Sequence, residues 1–384
     1  MYDMSRVPQR PQVTFHARLV GEPTPIADTN EAALYYRAGM NVLFQDPSVA
    51  SAAFYWASRL NPGWADPYFA RWFVLRNTKR RLPDTVRVRV DSLLLQAGIH
   101  DPFFDEQLAL REYSVRVHAA FSDAQREING AAEEENRRRL ADGEPLIRAS
   151  RIEIPHSWYL AFTERHFDSA SHDLAREIQR HPDVLELYVY RAKAQYYLKQ
   201  YDSVATTLTA AVGRVDAKDT SRALPVYFSR EMFYYAIGFA EAEAHRDSAE
   251  RVAFQHTVTE NLGFYMAHLH LAGQATRRHD TVTAMNEARI AVQIRPSDPL
   301  AQLFLGYALL TAGHPDDASD PLRAAIADDP YFALPYFYLA TAREAVHDTI
   351  GSRDAYSGFL GHAAQSDTLR KTARLAIVRL GGTS

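Results

Sequence analysis

Apolar residues in the C-terminal half of the chain recur at helical spacing in paired segments, and the paired pattern returns with a fixed period. Small residues mark that period: Gly238, Ala272, Gly306 and Ala340 are evenly spaced, each inside an apolar helical segment. A repeat of about 34 residues predicts stacked helix-turn-helix units, because one hairpin of helices cannot bury its apolar face without a neighbour. The expected fold is all-α, an α-solenoid with a less regular helical insertion.

The register predicts units starting at Glu231, Tyr265, Pro299 and Ala333. In the third, Leu305, Gly306 and Leu309 mark the first helix, Ala318, Leu322 and Ala325 the second, and Pro330 closes it. The second unit repeats this with Leu271, Ala272, Ala284, Ala288, Ala291 and Pro296. The first keeps Ile237, Gly238 and Phe254 but has Glu250 and Leu262 where Ala and Pro are expected. In the fourth, Ala355 and Phe359 arrive late in the period, which predicts a short insertion around Asp348 to Gly351. The grid reappears upstream in another phase, where His166–Ala170 and Gln200–Val204 are similar runs one period apart. Units are expected from Arg151, with Phe167, Ala170, Leu174 and Pro182, and from Leu185, with Ala192, Tyr201, Val204, Leu208 and Ala211. One more begins at Glu31, with Ala38, Ala50, Phe54, Ala57 and Pro62, and a partial one follows from Ala65 with Tyr68 and Trp72.

At these positions, over 31–75 and 151–362, the chain resembles the tetratricopeptide repeat (TPR) family. The resemblance implies antiparallel helix pairs in a right-handed superhelix, with a small residue in the first helix, Ala and an aromatic in the second, and a closing Pro. The sequence departs from that pattern at Trp72 and Trp158, where a small residue is usual, and at His268, where an aromatic is usual.

Between and beyond the units the reading is looser. Residues 1–30 carry Pro8, Pro11, Pro23 and Pro25 with few periodic apolar positions, and are expected to be an extended arm. Residues 76–150 break the period yet remain helical in pattern, with starts at Pro83-Asp84, Asp101-Pro102 and Ser122. Within them, 131–139 aligns Glu133, Glu134 and Glu135 with Arg137, Arg138 and Arg139 at i,i+4, which reads as a solvated helix face, with a charged recognition element as the alternative. Gly143-Glu144-Pro145 is expected to be a linker and 219–230 an insertion. Ser366 is expected to cap a terminal helix, 363–384, that turns Leu369, Ala373, Ala376, Ile377 and Leu380 inward and Arg370, Lys371, Arg374 and Arg379 outward, stopped by Gly381-Gly382.

Composition narrows the chemistry. The 384 residues are 47% hydrophobic, and 43 basic against 47 acidic side chains give a net charge of −4, which argues against a general nucleic-acid binder. With no cysteine, disulfides, iron–sulfur clusters and thiolate zinc sites are excluded. No stretch reaches the roughly 20 apolar residues of a membrane span, and the N-terminus has no signal-peptide pattern, so the chain reads as cytoplasmic unless a native leader was removed. His245, His256, His268, His270 and His279 are dense, but His268 and His270 point about 200° apart on a helix and cannot chelate together without help from another helix. Glu241 and Glu243 fall on different faces in the same way. No phosphate loop, His-Glu-x-x-His run or nucleophile elbow occurs, so the sequence gives no positive support for an enzyme or for any metal or cofactor.

Function in such arrays usually resides on the concave surface formed by the first helices. In this register that surface includes Tyr35, Phe69 and Phe73 and, as the main candidate site, Tyr196, Tyr197, Met232, Tyr235, Phe239, Met266, Leu269, Leu303, Tyr307 and Phe337. Such a groove suits an amphipathic helix or extended peptide with apolar anchors. Tyr and Phe at helical spacing are more often core, and residues 1–30 or 76–150 are internal candidates to fill the groove. Family members that grip acidic chaperone tails use recurrent Lys and Asn, and only Lys193 comes near that pattern. The reading is a non-enzymatic scaffold or adaptor for a protein or peptide partner. The alternative is a structural subunit of a homo- or hetero-oligomer, packed through the arm and the helices of 76–150.

Overall fold

The period of the sequence is a period of helices. The second helices of four successive hairpins begin at Asp247, Thr281, Pro315 and Thr349 and end at Glu260, Ile294, Asp328 and His362, each step being one full repeat. A computed structural model describes residues 7–11, 28–43, 45–77, 84–105, 130–141, 144–146, 159, 161–162, 164–215 and 229–382. Among the described residues every regular element is a helix. The chain divides into two compact units, one formed by residues up to Pro102 and from Val215 onward, the other by Phe103–Arg214.

In the first unit, α1 (Ala32–Val42) pairs with α2 (Pro47–Leu60) and α3 (Ala65–Asn77) with α4 (Asp84–His100). The second unit contains α5 (Phe167–Arg180), α6 (Leu185–Tyr197) and α7 (Tyr201–Val212), with a helical stretch at 130–141. The first unit resumes with the hairpins α8 (Arg230–Glu243) with α9 (Asp247–Glu260), α10 (Tyr265–Arg277) with α11 (Thr281–Ile294), α12 (Pro299–Thr311) with α13 (Pro315–Asp328) and α14 (Ala333–Ala345) with α15 (Thr349–His362), and ends on α16 (Leu369–Arg379). The pair α3–α4 extends the hairpin begun at Ala65 as far as His100. Residues 101–105 are turn and extended chain, so the helix expected to open at Asp101-Pro102 does not start there. The start expected at Ser122, Trp158 and most of 219–230 lie outside the described residues.

Close approach sets the pairing. A Cβ at Gly238 would sit 2.7 Å from Cε1 of Phe254, and one at Gly306 would sit 2.5 Å from Cγ of Leu322. Ala272 and Ala340, at the equivalent places, are buried. In α1 the contact against Phe54 is made by Gly39, next to the expected Ala38. The insertion expected around Asp348 is not there, since α14 and α15 have the same lengths and connection as α12 and α13. Ser352, not Ala355, takes the place of Ala318: it is small, and its buried hydroxyl donates to Ala340 O at 2.9 Å. Glu250 holds the same place in α9, 2% exposed, and both its carboxylate oxygens accept from Arg277 of α10 at 2.9 Å.

Two further features recur with the period. The chain turns between paired helices through a left-handed residue, at Arg165 and Lys199 in the second unit and at His245, His279, Gly313 and His347 in the first, with φ between 56° and 82°. Near the start of first helices, a polar side chain reaches back to a carbonyl that closes the preceding turn. Tyr68 donates to Pro62 O, Tyr188 to Pro182 O, Gln302 to Pro296 O and Tyr336 to Pro330 O, at 2.8–3.2 Å. His268 fills this role where an aromatic was expected, with Nε2 3.2 Å from Leu262 O and Nδ1 2.7 Å from Glu287. Trp72, at a small-residue position, is half-buried and donates to Asp91 of α4 at 3.2 Å.

The N-terminal hairpins dock along the turns of the later repeats. Arg59 donates to Asp328 O at 3.1 Å and pairs with Asp329 at 2.9 Å, and the Trp56 ring meets Tyr331 edge-on at 4.7 Å. Asn30 donates to Gly361 O at 2.8 Å. The described parts of the arm, 7–11 and 28–30, are non-helical, and 7–11 lies on this junction. Trp56 donates to Pro8 O at 3.0 Å, Arg10 donates to the Tyr35 hydroxyl at 2.6 Å, and its guanidinium lies 5.1–5.9 Å from the Tyr35, Trp56 and Tyr331 rings. The terminal helix α16 buries Ala373, Ala376 and Ile377 and stops at Gly381, φ +79°. Ser366 does not cap it; its hydroxyl donates to Glu31 of the N-terminal layer at 2.9 Å. Arg370 faces inward, contrary to expectation, because it donates to Leu360 O and Ala363 O at the open end of α15.

A side chain held in the left-handed region is strained where glycine is not. Replacing His245, His279 or His347 by Gly is therefore expected to raise stability by roughly 0.5 kcal/mol each, and Gly313→Ala to lower it by about 1 kcal/mol. Thermal melting of the four single variants checks this, and a lower melting point for the His→Gly changes would contradict it. Gly238→Ala is expected to cost roughly 1–3 kcal/mol, because the Phe254 ring must move, an effect measurable by denaturant titration.

Candidate protein-interaction site

On the first helices of the hairpins, the elements expected to line the groove, residues one period apart fall in rows: Tyr235, Leu269, Leu303 and Phe337 form one, and Phe239, Gly273 and Tyr307 belong to another. The expected open trough is not open along the first row. Tyr235, Leu269 and Leu303 are at most 5% exposed, as is Met232. Helix α4 covers part of it: Leu95 and Ile99 pack with Tyr265, Met266, Leu269, Ala301 and Phe304. The fully buried Tyr235 hydroxyl donates to Ile99 O, at the C-terminal end of α4, at 2.7 Å and lies 3.2 Å from Nε2 of His270. That bond satisfies a carbonyl with no partner further along the helix. Met232 packs with Phe254 and Phe264, and Leu303 with the core of the α12–α15 hairpins.

The other predicted residues have different fates. Phe239 is half-buried, 6.4 Å from Tyr235 and 5.8 Å from His270 between ring centroids. Tyr307 and Phe337 are half-buried and are linked by Tyr338, whose ring lies 4.9 Å from Tyr307 and 5.8 Å from Phe337. Phe337 leans inward on Tyr356 and Phe359. Burial, and secondarily Tyr307, raises the Tyr338 phenol above its usual range, so its hydroxyl stays a neutral donor.

In the second unit α6 carries Lys193, Tyr196 and Tyr197 at i, i+3 and i+4 on one face. A non-helical stretch of the chain lies on that face. Phe103 stacks on Tyr196 with centroids 4.0 Å apart and planes 7° from parallel. Tyr197 donates to Phe103 O at 3.1 Å, and Lys193 Nζ donates to Asp105 at 3.0 Å. Tyr197 is itself stacked on Phe167 at 4.8 Å and remains 37% exposed. Of these contacts sequence reasoning found Lys193, Tyr196 and Tyr197 and missed Phe103 and Asp105. The available signal was an aromatic–x–acidic triplet following a Pro inside an otherwise helical pattern.

The candidate chemistry resolves into packing. His270 stacks on Phe254 at 4.6 Å and His256 on Tyr234 at 4.8 Å, while His245 and His279 are the left-handed turn residues. Glu241 is buried against Arg246 at 2.5 Å and Glu243 is exposed. Among the described residues no three His, Asp or Glu side chains gather as metal ligands, and no helix is long and apolar enough to cross a membrane. The 130–141 helix is mostly exposed and forms the pairs Glu134–Arg138 and Glu135–Arg139 at 3.2 and 3.0 Å.

No protein-family profile matches the sequence, and no curated protein matches it. Solved structures are similar in part. The C-terminal part of a TPR repeat-containing protein from Cytophaga hutchinsonii is 16% identical with a TM-score of 0.46, over 57% of this chain and 83% of that one. PilW, a type IV pilus biogenesis factor, is 13% identical with a TM-score of 0.43, over 56% of this chain and 94% of its own. YrrB, a TPR protein with an unusual peptide-binding site, is 14% identical with a TM-score of 0.42, over 55% and 98%. Each likeness is partial and at low identity; the all-α solenoid of paired helices rests on the chain's own element order and contacts.

The pin between Tyr235 and α4 is testable. Tyr235→Phe removes the donor to Ile99 O, and a loss of about 1–2 kcal/mol is expected, with faster hydrogen exchange at 95–100; unchanged exchange there would contradict the role. Burial lowers the His270 pKa to about 4, with a smaller contribution from Arg277. The unfolded value is near 6.5, so between those limits the unfolded chain binds a proton that the folded chain rejects. Stability carried by the neutral ring is therefore lost as pH falls from about 6.5 to about 4. His270→Phe is expected to flatten that part of the stability profile relative to the unmodified chain, as followed by melting at pH 7, 5.5 and 4.

Proposed function

We propose that the chain is a protein-interaction scaffold that engages an apolar segment of a partner on the concave side of its later hairpins, at Tyr307 and Tyr338. The reading rests on one observation. The first helices hold short stretches of this chain by ring stacking and by tyrosine hydroxyls that donate to backbone carbonyls. The hydroxyl contact reads only the backbone of the bound stretch, and the stacking asks only for an aromatic residue in it, so the same surface chemistry suits a segment of another protein. The strip at Tyr307 and Tyr338 combines large ring area with phenol hydroxyls, the composition of an interaction hot spot. Met232, Tyr235, Leu269 and Leu303 serve packing in this reading and are not contact residues.

The test is placement-specific. A photoreactive phenylalanine analogue at Tyr307 or Tyr338 is expected to trap a discrete protein from native lysate, and the same analogue at Val282, 63% exposed, is not. Tyr338→Glu combined with Tyr307→Glu is expected to remove the capture by at least about tenfold, the effect of roughly 1.4 kcal/mol or more, while the melting point stays within a few degrees. Equal labelling at Val282, or capture that survives the charge changes, would rule the strip out.

A further inference from the structure

We propose that the Lys193–Tyr197 face of α6 is a recognition site for extended segments that carry an aromatic residue, one residue of any kind and a carboxylate. In this proposal Phe103-Phe104-Asp105 is its tethered occupant, which a partner protein's aromatic–x–acidic segment replaces. The proposal deepens the scaffold reading by naming a partner chemistry, at a different surface from Tyr307 and Tyr338.

The bound stretch is read as an extended peptide would be. Phe103 and Asp105 are 1% and 2% exposed, whereas Phe104 between them is half-buried, which is the alternation of a chain presenting every second side chain to one surface. The three contacts on α6 are chemically distinct and fall on one helical face. Tyr196 takes the aromatic ring, Tyr197 takes the carbonyl between the two read side chains, and Lys193 takes the carboxylate. The donor is preorganised, because stacking on Phe167 fixes the Tyr197 ring.

Selectivity comes from the ion pair. The Asp105 side chain is 1% exposed and the Lys193 side chain 15%, so the two opposite charges meet largely withdrawn from water. A neutral residue at the acidic position leaves the ammonium without its partner, a penalty that discriminates against other sequences as well as an attraction toward this one. The occupant lies outside any helix. The contacts that hold it are therefore ones a second peptide can reproduce group for group. Attachment to the chain gives it an effective concentration on the order of millimolar, so a free peptide binds measurably once the occupant is disabled.

The experiment uses the full chain and a fluorescent acetyl-Asp-Pro-Phe-Phe-Asp-amide peptide, read by anisotropy. Phe103→Ala combined with Asp105→Asn empties the site. The emptied chain is expected to bind with a Kd of roughly 10–500 μM, at least about tenfold tighter than the unmodified chain. Adding Lys193→Met, or ending the peptide in Asn, is expected to weaken binding about tenfold or more, and added salt to weaken it progressively. A flat titration against an emptied chain that keeps its helical circular dichroism overturns the proposal, as does binding indifferent to Lys193. If the emptied chain loses its fold, hydrogen exchange of residues 103–105 in the unmodified chain decides. Acceleration by about 5 mM of the acidic peptide but not the Asn peptide supports replacement, and no acceleration overturns it. A failed titration with capture at Tyr338 intact removes the α6 site alone, and the reverse result removes only the Tyr307–Tyr338 strip.

Discussion

The structure depends on one close approach that recurs along the chain, a glycine of a first helix pressed against a large residue of the second. Gly238 on Phe254, Gly306 on Leu322 and Gly39 on Phe54 bring two helices close enough that their remaining faces turn outward to the next hairpin. Buried residues of both helices then pack into successive apolar clusters along the first unit. Polar positions inside the core obey the same spacing. Ser352 and Glu250 occupy the alanine place only because Ala340 O and Arg277 satisfy them, since a buried hydroxyl or carboxylate without a partner would cost more than the place returns.

Packing of the first helices shows which of the expected groove residues hold the fold. Tyr235 has the chemistry of a ligand contact, a phenol donating to a backbone carbonyl, yet its acceptor is α4 of the same chain. The arm does something similar with Arg10, whose guanidinium lies among three aromatic rings drawn from both ends of the first unit. In the second unit the α6 face is engaged through stacking, a carbonyl and a carboxylate. The surfaces a partner would use are also surfaces the chain uses to fold.

Most of the helical grid was legible because Gly, Ala and Pro mark steric and dihedral requirements that few other residues meet. Legibility failed where one residue type does another's work. Ser352 stands in for alanine, so the pattern read through Ala355 and required an insertion that is absent. His268 stands in for tyrosine by reaching back to the equivalent carbonyl, that of Leu262. The periodicity marks the face on which Tyr235, Leu269 and Leu303 lie but carries no information about what covers it, because α4 docks from a distant part of the sequence. Phe103 and Asp105 left only a local aromatic–x–acidic triplet as a trace, because their partners on α6 are 94 and 88 positions distant.

The docking of the N-terminal hairpins has a consequence for how this array could change length. Arg59 grips Asp328 and Asp329 after one hairpin, Asn30 grips Gly361 after the next, and Ile99 rests on Tyr235 and Leu269 ahead of both. These anchor points match successive turns, so the N-terminal layer acts as a ruler. Copying one whole hairpin between Tyr265 and Pro330 would leave every helix pair satisfied but carry Asp329 a full unit away from Arg59. The interior of this solenoid is thereby locked to its present number of units.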